Sequence, residues 1–298
     1  MIPIKTILQS ILGFRKIKKL IKQYAGYHLI FIGAPGIGDQ CVACAHLHEY
    51  IKKVAYKKYA IVCNEKVGYV YREININSII ALSKSEIWNI RSSYLFNSFF
   101  GKKINKMIDN GSLCIVDVKY YQKKNNADGD AISIIRKYAF HLDNEILPEV
   151  HRISFNSKKR MDDLSPFIII NPYSGSMKIQ SDVFEPVIQF FESRGYKVFC
   201  NVTGSQVPLQ DTIELRCSVQ DLYEMAEKAE MVFSIRSGIL DYIIGNCKRI
   251  IAVYDSQEFR RLYSLLSWKS ECVVLELMNN DNIQSDVREA LLEELLYE

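Results

Sequence analysis

Apolar residues recur along this chain in two rhythms. Short apolar runs at 28–33 (HLIFIG), 60–64 and 113–118, with a weaker one at 79–82, predict buried strands. Between them, apolar residues spaced three and four apart predict helices over about 39–56, 95–108 and 129–142. Alternation of this kind predicts a parallel sheet with helices on both faces. Residues 143–166 break the rhythm with two prolines and a charge cluster, and read as a linker. The alternation then restarts. Strands are expected at 167–171, 197–202, 231–235, 249–254 and 272–277, and helices at 182–194, 220–228, from 238 and over 284–297. The expected class is therefore α/β, with Rossmann-like domains at 27–160 and 161–298.

Residues 1–26 form a piece of their own. Ile4, Ile7, Leu8 and Ile11 make one helical stripe and Ile17, Leu20, Ile21 and Tyr24 another, with Gly13 between them. Lys5, Arg15, Lys16, Lys18, Lys19 and Lys22 accompany them, and the first acidic residue is Asp39. No stretch of about 18 uncharged apolar residues occurs, so no spanning helix is expected. The apolar run is too short for a secretory signal, and its basic cluster lies on the wrong side. Two readings stay open. Residues 1–24 are a basic amphipathic helix lying on an anionic membrane, or a helix packed on its own domain.

Composition narrows the class. Of 298 residues, 48% are hydrophobic and 24% charged, which excludes a disordered chain. The net charge of +4, without a Lys/Arg block interleaved with aromatics, excludes a dedicated nucleic-acid binder. Most of the eight cysteines sit in apolar runs and read as reduced core thiols. Cys41-Val-Ala-Cys44 has redox or half-zinc spacing, but no second pair accompanies it, so two inward helix thiols are expected.

The strongest local signal is Gly33-Ala-Pro-Gly36-Ile-Gly38-Asp39, after a strand and opening a helix. Glycines there let backbone approach a ligand. It is neither a Walker A loop nor a dinucleotide fingerprint, because the Gly-Lys-Ser/Thr and G-x-G-x-x-G spacings are missing. Asp39 is either a helix cap or a carboxylate that takes a proton from a hydroxyl. In the second half, Arg236-Ser237-Gly238 stands at a strand end opening a helix. Free N–H groups and a guanidinium suited to phosphate would converge there. The alternative for Arg236 is an ion pair with Asp241 or a nearby Glu. Lys178, Ser174 and Ser176 lie on a Ser/Gly loop suited to a departing diphosphate. Asp128-Gly-Asp130 follows a polar run and reads as a loop and helix cap, so no metal-bridging Asp pair is expected at a strand end.

The glycine loop ending in Asp39 resembles the N-terminal loop of heptosyltransferase-like glycosyltransferases. The likeness continues through the second half. Ile170-Asn-Pro-Tyr-Ser-Gly-Ser-Met-Lys178 is similar to the family's donor-phosphate loop, and Val202-Thr203-Gly204-Ser to its Thr-Gly turn. The stretch from Ser218 to Gly238 is similar to its helix, strand and donor loop. The resemblance implies a GT-B arrangement, two Rossmann-like domains facing across a cleft. It implies Asp39 as general base and Gly36 and Gly38 as the acceptor loop. It implies Lys178, Ser174, Ser176, Thr203, Gly204, Arg236, Ser237 and Gly238 at a nucleotide-sugar donor. No cofactor or metal is implied. The acceptor would be a glycan or lipid-linked sugar in bacterial surface-polysaccharide assembly, and the enzyme would be cytoplasmic, free or peripheral on the inner face of the cell membrane. The chain departs from the pattern where Ile-Arg-Ser-Gly replaces Asp-Thr-Gly and Gln180 replaces a Trp. A polysaccharide pyruvyl-transferase-like enzyme and a non-catalytic nucleotide-sugar-binding or scaffold protein are the alternatives.

Overall fold

A computed structural model describes residues 3–54, 58–71, 74, 76–142, 148, 166–175, 177 and 179–295. The chain divides into two compact units, Met1–His151 and Arg152–Glu298. Each is an α/β unit on a parallel sheet.

In the first unit the strands are β1 (His28–Ile32), β2 (Tyr59–Asn64), β3 (Ser78–Leu82) and β4 (Leu113–Val116). Their order is β3-β2-β1-β4, and every pair is parallel. All residues of β1, β2 and β4 are buried, as helices on both faces of a sheet require. The helices are α1 (Ile4–Gln23), α2 (Ile37–Lys53), α3 (Lys84–Leu95), α4 (Ser98–Asp109), α5 (Val118–Asn125) and α6 (Ala131–Ile134). A π turn, Ile135–Ala139, continues α6. Asp130 caps α6 by accepting from the Ser133 N–H, as the loop-and-cap reading expected.

Two features of the helices have local causes. Gly13 does not interrupt the N-terminal helix. It lies in the middle of α1 against α3, so close that an added Cβ would be 1.9 Å from the Asn89 carbonyl oxygen. The glycine is there for close helix approach. Ser10 closes the same contact by donating to the Ser92 carbonyl at 3.0 Å. The helix expected over 95–108 is α4, and a helix the sequence pattern did not show, α3, precedes it. The chain breaks at Phe96 and Asn97, where the Asn97 side chain caps α4. The buried side of α3 carries Arg91, Ser92 and Ser93, so it shows little apolar periodicity.

In the second unit β5 (Phe167–Asn171), β6 (Lys197–Asn201), β7 (Ile213–Leu215), β8 (Val232–Ile235), β9 (Arg249–Tyr254) and β10 (Val273–Met278) form one parallel sheet, in the order β10-β9-β8-β5-β6-β7. The helices α7 (Glu185–Glu192), α8 (Val219–Lys228), α9 (Gly238–Ile243), α10 (Gln257–Tyr263) and α11 (Ile283–Leu295) complete it. Ile168, Ile170, Phe184, Val187, Phe233 and Val287 anchor a core between the sheet and α7 and α11. In each sheet the chain builds outward, then returns to the far side of its first strand. The reversal lies between β1 and β4 in one unit and between β5 and β8 in the other. Loops leaving the carboxyl ends of neighbouring strands part there and leave a crevice, where such sheets bind ligands.

Candidate functional site

The glycine loop leaves β1 at the first reversal point and is held by backbone and amide bonds. The Gly33 N–H donates to the Val116 carbonyl at 2.9 Å. Gln40 donates to the Ala34 carbonyl at 2.9 Å, and Asn64 to that of Pro35 at 3.2 Å. Gln40 is itself fixed, because the Tyr71 hydroxyl donates to its Oε1 at 2.7 Å. The loop therefore enters α2 in one conformation. The N-cap of α2 is Gly36, which makes no side-chain cap bond. Asp39 lies three residues on, half-buried in the first turn, and its carboxylate folds back toward Gly36. Gly38 is buried and Gly36 exposed. Cys41 and Cys44 are both buried in α2, and all eight cysteines are free.

Beside that loop, at the end of β4, stands a buried carboxylate that sequence reasoning missed. Asp117 accepts from Arg91 Nε at 2.7 Å and Nη2 at 3.1 Å, and from the Tyr94 hydroxyl at 2.7 Å. It also accepts the Lys119 and Tyr120 N–H groups at the start of α5. Burial opposes the Arg91 charge, but the Asp117 carboxylate, with a smaller contribution from Asp39, raises its pKa above the ordinary value. Burial first, and Asp117 second, push the Tyr94 phenol well up. A Cβ on Gly33 would lie 2.2 Å from the Tyr94 hydroxyl and 2.7 Å from an Asp117 oxygen. Asp117 thus takes up the guanidinium, the phenol and the first N–H groups of α5 that stand beside the glycine loop. The only advance signal was Asp117 following a β-run, an N-cap pattern.

The second reversal point brings together residues from two loops. Ser174, after β5, donates to the Arg236 carbonyl at 3.3 Å, so the Asn-Pro-Tyr-Ser-Gly loop lies against Arg236-Ser237-Gly238. Gly175 has open space where a Cβ would point. Asn171, at the end of β5, is 3% exposed; its Oδ1 accepts from Asn201 at 2.8 Å. Its Nδ2 is buried without a partner among the described residues, and so is the Ser237 Oγ at the N-cap of α9. Lys178 and Ser176 lie outside the described residues.

Arg236 points inward. Its Nη2 pairs with Asp241 at 2.7 Å and its Nε donates to the Tyr263 carbonyl at 2.7 Å, and the side chain is 4% exposed. Burial opposes its charge, but Asp241 keeps its pKa above the ordinary value. Asp241 also accepts from the Trp268 indole at 3.0 Å. This geometry is the ion-pair alternative for Arg236. The guanidinium is thereby spent inside the second unit.

Thr203 and Gly204 follow β6 at the rim of an open pocket of about 390 Å³, lined also by Val202, Arg216, Ser218 and Asp221. Gly204 has a φ of 58°, a left-handed turn that favours glycine. Arg216 ties the turn down by donating to the Gly204 carbonyl at 2.8 Å and that of Gln206 at 2.9 Å. Among the described residues, no group of three or more His, Cys, Asp or Glu is placed to hold a metal ion. No described helix is long and apolar enough to cross a membrane.

No protein-family model matches the sequence, and no curated protein matches it. Solved structures do match. E. coli heptosyltransferase WaaC, solved with ADP-2-deoxy-2-fluoro heptose, is 10% identical, with 89% of this chain and 99% of that chain covered and a TM-score of 0.57. E. coli ADP-heptose lps heptosyltransferase II is 12% identical over 90% and 98% of the two chains, with a TM-score of 0.57. A glycosyl transferase family 9 protein from Veillonella parvula DSM 2008 is 12% identical over 90% and 89%, with a TM-score of 0.54. The structures that this chain is similar to are thus glycosyltransferases, and at such low identity the likeness is one of fold: parallel α/β units of the Rossmann-like type.

Proposed function

We propose that this protein is a GT-B glycosyltransferase that takes its nucleotide-sugar donor on the second unit and its acceptor on the first. The contrast between the two reversal points carries the reading. In the first unit the buried polar groups of the crevice satisfy one another around Asp117. In the second, the Asn171 Nδ2 and the Ser237 hydroxyl are buried and unpartnered among the described residues. Leaving such a group unmet costs about 1–3 kcal/mol, and a ligand oxygen would recover it. Backbone at Ser237 and Gly238, with Ser174, Ser176 and Lys178, would surround a diphosphate. Thr203 and Gly204 would border the nucleoside. Arg236 acts from behind, fixing the loop through Asp241 and the Tyr263 carbonyl.

Asp39 would accept the proton of the acceptor hydroxyl as that oxygen bonds to the anomeric carbon. The bond from that carbon to the diphosphate breaks, and its electron pair leaves with the diphosphate. Lys178 would supply the positive charge there, so turnover should persist in EDTA. Relatives by fold were solved with ADP or an ADP-sugar, so ADP-linked donors are the first to test. The acceptor class is a bacterial surface glycan or glycolipid, reached from the cytoplasmic face of the cell membrane.

The test is thermal shift with ADP, UDP, GDP, CMP and their sugars on the wild type and Ser237→Ala. Specific binding raises the melting temperature. Ser237→Ala loses no hydrogen bond among the described residues, so its ligand-free melting temperature should equal the wild type's. Nucleotide affinity should fall by about 1 kcal/mol. Equal nucleotide affinity in the variant places the donor elsewhere. Nucleotide binding without turnover on any sugar would favour the binding-protein alternative.

A further inference from the structure

We infer that α1 and α4 together form one docking face for an anionic lipid bilayer. The inference deepens the membrane part of the reading above and is independent of the donor chemistry. At 100° per residue, Ser10, Gly13, Ile17 and Leu20 share one side of α1, and all four are buried. The opposite side is split along its length. Its first half is apolar and open, with Ile4 77%, Leu8 57% and Leu12 53% exposed. Its second half carries Arg15, Lys18, Lys19 and Lys22, all exposed. The second apolar stripe of the sequence packs on the protein, and the first does not.

The face does not end at α1. Phe14 lies between the two sides and stacks on Phe100 of α4, centroids 4.7 Å apart and planes 22° from parallel. Ile7, Ile11 and Lys18 are on the same edge of α1 as Phe14. Lys103 of α4 sits over the Phe14 ring at 5.8 Å and over Phe99 at 4.2 Å, and Phe99 is 60% exposed. Lys102, Lys103 and Lys106 are exposed. Helices from two distant stretches of sequence therefore continue one surface of aliphatic, aromatic and cationic groups.

Charge selects the occupant. The residues of α1 include no carboxylate, and those of α4 only Asp109, in its last turn. Lys16, at the edge, is paired with Glu86 of α3 at 2.6 Å. A second copy docked on this face would set the same cations against each other. An anionic bilayer offers both what the lysines and arginine attract and what Ile4, Leu8, Leu12 and Phe99 can enter. Sugar acceptors carried on lipid would be met at that surface.

The test is flotation of the whole protein with vesicles of phosphatidylglycerol and phosphatidylcholine, and with phosphatidylcholine alone, at low and high salt. The variants are Leu8→Asp, Phe99→Asp, the pair Lys18→Glu with Lys19→Glu, and Val207→Asp. Val207 is an exposed apolar residue of the second unit and serves as control. All these side chains are exposed, and a melting curve checks each fold. The wild type should float only with the anionic vesicles and be released by salt. Leu8→Asp, Phe99→Asp and the lysine pair should each lower vesicle affinity about fivefold or more, and Val207→Asp should not. Full binding by Phe99→Asp removes α4 from the face. No binding to anionic vesicles, or a dimer in solution that Leu8→Asp dissolves, overturns the inference. Nucleotide shifts on the same variants should equal the wild type's. Lost nucleotide binding with intact flotation counts against the proposed function alone.

Discussion

Arg91 grips Asp117 with two nitrogens, Nε at 2.7 Å and Nη2 at 3.1 Å, where both side chains are almost fully buried. Tyr94, from the next turn of α3, donates to the same carboxylate. Around this pair the buried polar groups at the end of β4 satisfy one another, and the Gly33 turn rests on it. Removing one partner strands the other as a buried charge. Asp117→Asn should therefore destabilise the protein by about 3–5 kcal/mol in urea unfolding, the usual consequence of breaking a buried pair. A loss below about 1 kcal/mol would show that the pair does not hold the unit together.

Gly13 tests the α1–α3 contact. Alanine is the better helix former by about 1 kcal/mol, so Gly13→Ala in a free helix would stabilise. Here the methyl would meet the Asn89 backbone at 1.9 Å, and backbone cannot swing away as a side chain does. The expected sign is reversed, with a lower melting temperature and faster amide exchange in α1. A higher melting temperature would mean the helices are not packed this closely.

Asp39 tests the chemistry. The glycine turn is locked by Gln40, Asn64 and the Val116 carbonyl, and Gly36 rather than Asp39 is the N-cap of α2. Asp39→Asn should keep the fold and the nucleotide shift while turnover falls about 10²-fold or more. Normal turnover would leave Asp39 as a first-turn acid favoured by the helix dipole.

His46 tests the pH response. It is fully buried against Phe140, and among the described residues neither ring nitrogen makes a hydrogen bond of good geometry. Burial, and then the neighbouring Arg136 cation, lower its pKa from 6.5 to about 4, against smaller opposing effects of the nearby Ile132 backbone and Asp130. The unfolded chain therefore binds a proton that the folded chain refuses between those values. Stability is fully present above about pH 6.5 and declines as pH falls toward 4, by about 3 kcal/mol at most from this group. Burial also lowers the pKa of His28, which acts in the same direction. Urea midpoints across that range should show the decline in the wild type and a flatter profile in His46→Leu. Equal slopes in the two proteins would assign the acid response to other groups.

Much of the architecture could be read from local patterns. Unbroken apolar runs such as HLIFI and FIIIN mark strands buried on both sides, and Gly33, Gly36 and Gly38 mark a turn that opens a helix. These signals are local because each strand or turn is specified by neighbours a few residues away. The segment α3 escaped that reading because Arg91, Ser92 and Ser93 face inward and blur its period. The state of the polar groups was legible only in part: the Asp130 cap and the Arg236–Asp241 pair stood among the readings, but the long-range partners did not. Arg91 finds Asp117 26 residues on, Ser174 meets Arg236 from 62 residues away, and Phe14 stacks on Phe100 from another helix. Whether a charged or amide group is spent inside the protein or left for a ligand depends on which distant segments the sheets bring beside it. So Arg236 and Ser237, neighbours in one motif, part company only in the folded unit: the guanidinium is consumed by Asp241 and the Tyr263 carbonyl, and the hydroxyl is left without a described partner.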